Sequence, residues 1–160
     1  MRGPLRVDRR LRARLLVIAA TCAPLASCVH VAVKRSSDAN PPAQLLGRFT
    51  DDYGEAYEVV RDRFVQLPNA RYHIVEWNTS QQYLIAQNDS ANRTDAKRWT
   101  RIDWLTLQDM APYSWAFCLT AWKAPTRDSA RATAPPKRDI PRSGCGGFPF
   151  TRMRADSSQT

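Results

Sequence analysis

The sequence predicts an all-β protein, a small antiparallel meander curled into a barrel or half-barrel. Short runs rich in β-branched and aromatic residues recur between turn signals. Both faces of these runs carry apolar side chains, whereas a sheet with one wet face alternates more cleanly. No βαβ spacing, long amphipathic helix or internal repeat interrupts the pattern. A two-sheet sandwich is the rival arrangement.

The domain is expected over residues 45–154. Residues 46–50 (Leu-Gly-Arg-Phe-Thr) form the first strand, Asp51-Asp52-Tyr53-Gly54 a turn with Gly54 where positive φ is allowed, and 55–60 the return. After Pro68-Asn69, residues 71–77 alternate Tyr72, Ile74 and Glu76 against His73, Val75 and Trp77. Asn78-Thr79-Ser80 turns the chain into a strand at 82–87. A polar hairpin at 88–97 leads into 99–105, where Trp99, Ile102 and Trp104 stand among β-formers. Asp109-Met110-Ala111-Pro112 reads as a loop or one helical turn. The last long strand, 115–122, sets Phe117, Leu119 and Ala121 against Cys118, Thr120 and Trp122. Residues 146–150 (Gly-Gly-Phe-Pro-Phe) form a terminal strand or plug, and the tail 155–160 should fray.

Residues 123–144 contain four prolines and no apolar period, and so read as an excursion. Lys123, Arg127, Arg131, Lys137, Arg138 and Arg142 stand there against Asp128 and Asp139. Such a loop either contacts an anionic envelope surface, each nearby cation contributing about 1 kcal/mol, or is simply solvated.

The N-terminus carries a different signal. Arg2, Arg6, Arg9, Arg10, Arg12 and Arg14 precede an apolar run at 15–25. That order is a targeting segment, and the run is far short of the ~20 residues that span a bilayer. It ends in Leu25-Ala26-Ser27-Cys28, which resembles the lipobox of bacterial lipoproteins. The resemblance implies a signal peptide at 1–27, cleavage between Ser27 and Cys28, and a diacylglycerol thioether on Cys28. Membrane lipid is then a partner through acylated Cys28, since two or three acyl chains hold where one binds marginally. Val29 rather than Asp after the cysteine implies the outer membrane more than the inner. Residues 28–44, with Pro41-Pro42 near their end, become a lipidated tether on the order of 20–25 Å long.

Processing changes the composition. The full chain has 24 Lys+Arg against 15 Asp+Glu, but residues 1–27 hold six Arg and one Asp, leaving 18 against 14. An exported, weakly basic chain argues against nucleic acid as a partner, despite a pI near 10. Cys22 leaves with the signal and Cys28 carries lipid, so an oxidising compartment pairs Cys118 with Cys145. His30 and His73 form no zinc-type spacing with a cysteine, and no metal or cofactor is expected.

Gly47-Arg48-Phe49 on the first strand is similar to the Gly-x-Trp signature of lipocalins, with Phe49 where that family has Trp. This resemblance implies a ligand-holding barrel. Candidate pocket residues on the strands are His73, Glu76, Trp77, Trp99, Arg101, Asp103 and Trp104, suited to an apolar or sugar ligand. An alternative is a small enzyme acting on an envelope or lipid-like substrate, with His73 oriented by Glu76 or Asp103. No nucleophile elbow accompanies it.

Overall fold

The computed structural model describes residues 40–156. The expected signal segment, cleavage site, Cys28, residues 28–39 of the tether and residues 157–160 of the tail lie outside the described residues.

Eight antiparallel strands, each hydrogen-bonded to its neighbour in sequence, close into a barrel. They are β1 (Gly47–Asp51), β2 (Ala56–Val60), β3 (Arg63–Gln66), β4 (Ala70–Asn78), β5 (Tyr83–Asn88), β6 (Trp99–Thr106), β7 (Trp115–Ala124) and β8 (Thr151–Ala155). The all-β expectation holds, and closure decides for the barrel over the half-barrel and the sandwich. Phe49 opposite Ala155 and Asp51 opposite Met153 form the seam between β1 and β8. A 3-10 turn at Ala43–Leu45 precedes β1 and buries Leu45 in the core.

Local chemistry explains the hairpins. In the β1–β2 turn the Asp51 carboxylate accepts from the backbone N–H of Tyr53 and of Glu55, each at 2.9 Å, while Gly54 takes φ 89°. Val60 pairs with Arg63, so Arg61 and Asp62 alone connect β2 to β3. That turn lacks glycine and β3 has four residues, which is why the sequence gives little sign of it. β4 carries a bulge. Its register shifts between Ile74 and Glu76, so Trp77 joins Tyr72 and Ile74 in the core while Glu76 faces outward. Simple alternation puts Trp77 and Glu76 on the opposite faces.

Rings fill the inside. At one end Trp77 and Trp104 meet edge to face at 5.7 Å, and the Trp77 indole donates to Arg61 O at 2.8 Å. Toward the other end Tyr57, Phe64 and Phe117 form T-shaped pairs 5.3–5.7 Å apart. Trp115, between Phe49 and Phe117, is fully buried, and its indole N–H has no partner among the described residues.

The outer face of β5–β7 is covered as well, which is the larger reason that both faces of these strands are apolar. Residues 125–150, joining β7 to β8, are not a solvated excursion but a strap laid over that face. The strap opens with α1 (Arg127–Ala132), whose N-cap Thr126 and Ser129 form a reciprocal capping box. Ala130 packs on Tyr83 and Ile85 beside Trp99. Farther on, Phe150 packs with Leu105, Ala116 and Cys118. Cys118 and Cys145 are disulfide-bonded, as expected, 27 residues apart. A loop of that size corresponds to about 3.5 kcal/mol in the chain-entropy account. Gly144 is tucked so close to the strap's own backbone that an added Cβ would lie 1.8 Å from Lys137 O.

Charge pins the strap where apolar contact does not. Asp103 is fully buried on the outer face of β6 and takes two hydrogen bonds from Arg101, at 2.8 and 2.9 Å. Arg138 adds a third at 2.7 Å, and Thr120 donates a fourth. Arg101 also donates to the carbonyls of Arg131 and Thr133, and Arg138 to those of Gln81, Gln82 and Trp104. These carbonyls give each guanidinium enough acceptors to tolerate burial. Three of the five strap cations, Arg127, Arg131 and Arg138, are thus ion-paired to the barrel, while Lys123 belongs to β7.

Candidate functional site

The β1–β2, β3–β4 and β5–β6 turns rim the end of the barrel opposite the Trp77–Trp104 pair. A cleft of about 410 Å³ opens there. Its position follows from strand length. β7 runs ten residues but meets β8 only at Trp115, Ala116 and Phe117. Above Phe117 the space beside β7 is occupied by Cys145 and the Cys145–Phe148 bridge of the strap instead of a strand.

The floor of the cleft is made by Tyr57, Phe64, Tyr72 and Phe117, its sides by Leu119, Gln66 and Thr151, and its rim by Tyr53, Glu55 and Phe148. Tyr53 is 71% exposed and Phe148 74%, so two large rings stand in water at the opening. Single exposed aromatics are ordinary, but a pair flanking a concave ring-lined surface is what a ligand site requires.

Asp51 lies in the wall and is 4% exposed. Besides closing its turn, its carboxylate accepts from the Tyr57 hydroxyl at 3.0 Å. Burial, and then the Asp51 charge, push the Tyr57 phenol above its usual range. Burial first and Asp95 second also raise Tyr72. Both phenols therefore remain neutral donors at physiological pH. Among the described residues, Asp51 and Glu55 are the only charged ones that line this cleft.

A second recess of about 410 Å³ shares Tyr72 and Leu119 with the first and continues toward the β5–β6 turn. Its lining includes Asn69, Asn88, Asn92, Arg93 and Asp95. Asn88 is buried, accepts from Thr100, and donates to the carbonyls of Asp95 and Trp122. That amide therefore holds β5, β6, β7 and the β5–β6 turn together and is not available to a ligand.

The seven residues singled out from the sequence do not converge. Trp77 and Trp104 are core rings at the far end. Trp99, Arg101 and Asp103 lie on the outer face beneath or beside the strap. Glu76 faces α1, receiving Arg127 at 2.9 Å and Arg131 at 2.6 Å. Burial opposes its ionisation, but hydrogen bonds from Arg131 and Arg127 and their charges outweigh burial and hold the carboxyl below its usual range. His73 is half exposed on the outer face of β4, its Nε2 2.7 Å from the Asp89 carboxylate. Two of the mouth rings were legible in principle, since Tyr57 and Tyr72 are inward positions in the halves of β2 and β4 nearest those turns. Phe64 and Phe117 lie in the halves of β3 and β7 that start from the other end, and reach the cleft floor from below. Finding them needed β3 and the strap, neither of which announces itself. No known protein family, curated protein or solved structure matches this chain.

Proposed function

We propose that this protein is a lipid-anchored, extracytoplasmic binding module, held on the membrane by acylated Cys28 and offering the mouth of its barrel to a small ligand. One observation carries the binding half: an aromatic cleft at the open end of a barrel whose interior is otherwise filled by its own rings. The resemblance to lipocalins suggested a ligand in the lumen. Because rings fill the lumen, the proposed ligand sits at the rim instead.

The anchoring half is supported by the arginines, apolar run and Leu25-Ala26-Ser27-Cys28 of the N-terminus, and by a disulfide of the kind that persists in oxidising compartments. Contact with an anionic envelope surface would rest on Lys123, Lys137 and Arg142, because the other three cations of residues 123–144 are paired internally. The enzymatic alternative through His73 gains nothing from the geometry. That ring sits on the outer face with Asp89, outside the mouth cleft, and Glu76 and Asp103 are both occupied by arginines.

The test has two arms on the full chain produced in a bacterial host. Metabolic labelling with an alkyne palmitate analogue should mark the wild type and spare Cys28→Ala; equal labelling of both, or of neither, sinks the anchor. Native mass spectrometry from gentle detergent should show extra mass lost on denaturation. A clean apo mass, with no small molecule perturbing Tyr53 or Phe148 in a fragment screen, overturns the binding function.

A further inference from the structure

The lining of the mouth cleft has a charge sign opposite to the protein as a whole. The chain carries a formal net charge of +9 and stays positive, 18 Lys+Arg against 14 Asp+Glu, without residues 1–27, yet among the described residues the cleft is lined by two carboxylates, Asp51 and Glu55, and by no Lys, Arg or His. Six rings complete it: Tyr53, Tyr57, Phe64, Tyr72, Phe117 and Phe148. On the binding function proposed above, we infer that the occupant is a small organic cation, a trimethylammonium-type or similar alkylammonium head with an apolar body.

Rings and carboxylates fit this ligand for separate reasons. An aromatic face carries negative quadrupole density and attracts a cation within about 6 Å of its centroid, most strongly where water is excluded. Three of the four floor rings are excluded from water: Tyr57, Phe64 and Phe117 are each under 5% exposed. Asp51, nearly as buried, sets a negative charge beside them, and Glu55 places a second in the opening. Because the Tyr57 hydroxyl and two backbone N–H groups already bond Asp51, a ligand with no donors at all loses nothing by failing to hydrogen-bond it. A quaternary ammonium is such a ligand. Fatty acids and phosphates are disfavoured by the same two carboxylates, in a medium where repulsion is less screened than in water. A volume of about 410 Å³ lies toward the small end of ligand sites and accommodates a head of this size.

The experiment is isothermal titration of the full chain in neutral detergent with choline and, separately, with 3,3-dimethylbutan-1-ol, which replaces the quaternary nitrogen by carbon and keeps the shape. Choline should bind at least tenfold more tightly. Glu55→Gln and Tyr53→Ala, both exposed and outside the core, should each weaken choline several-fold while leaving the melting temperature unchanged. Equal binding of the two probes overturns the cation while leaving a binding module standing, as would displacement of a co-purified neutral or anionic ligand. Retention of full choline affinity by both variants overturns the site. If neither probe binds and native spectrometry finds no bound mass, this inference and the binding function fail together.

Discussion

Two buried tryptophans with different hydrogen bonding separate the worth of a ring from the worth of its N–H. Trp77 donates to Arg61 O, whereas the Trp115 N–H is buried without a partner among the described residues. Replacing either by Phe removes similar ring volume, but only Trp77→Phe leaves a formerly paired carbonyl behind, and only Trp115→Phe relieves an unsatisfied donor. A buried unpaired polar group costs about 1–3 kcal/mol. Trp77→Phe should therefore destabilise more than Trp115→Phe by about 1 kcal/mol or more in urea unfolding. Equal losses would mean that a water or a shift of the backbone satisfies Trp115. Neither nitrogen's fate is written in the sequence, because the partner of Trp77 sits in a turn 16 residues away.

At the scale of elements, the strap shows how far composition can mislead. Prolines and six cations in 123–144 read as solvated or membrane-facing, since sequence reveals charges but not their counter-charges. The partners of Arg127, Arg131 and Arg138 are Glu76 and Asp103, on strands far away along the chain, and Glu76 reaches α1 only because the β4 bulge turns it outward. The disulfide, by contrast, was legible: once two of four cysteines are assigned, a single pairing remains. The Glu76 pair makes strap anchorage depend on pH with a definite sign. Its folded-state carboxyl is held below the usual value, so its contribution is complete above the ordinary glutamate range of about 4.3 and is lost as pH falls from there through the lowered value. The stability gap between wild type and Glu76→Gln should be present at pH 7 and shrink below about pH 4. A gap that stays constant down to pH 2.5 would show that the arginines do not recognise the charge.

For the whole molecule, the all-β class was accessible because alternation and turn chemistry are local, and six of the eight described strands could be drawn from them; closure was not, since it rests on a pairing between the two ends of the domain. Nor were β3 and β8. β3 is four residues between a glycine-free turn and Pro68, and β8 (Thr-Arg-Met-Arg-Ala) carries one core side chain, Met153, which the pattern of a polar tail absorbs. β8 is nonetheless the strand that completes the barrel. Its register with β1 is reinforced by Asp156, whose N–H donates to Arg48 O and whose carboxylate accepts from Thr50 at 2.6 Å. A chain ending at residue 150 should therefore leave the facing edges of β1 and β7 open and form oligomers by size-exclusion chromatography. A monomeric truncated protein with native circular dichroism would refute that role.

The seam also sets an order of events on any chain made or threaded from its N-terminus. Thr50 and Asp156 are separated by 106 residues, so the first strand must wait for nearly the whole chain before its partner exists. Until then the nascent meander has β1 as a bare edge, and contacts of such long range are slow to form. Assembly is thus paced by the arrival of the last five strand residues, and an escort that shields β1 in the interval would act before the fold exists and have no role after it.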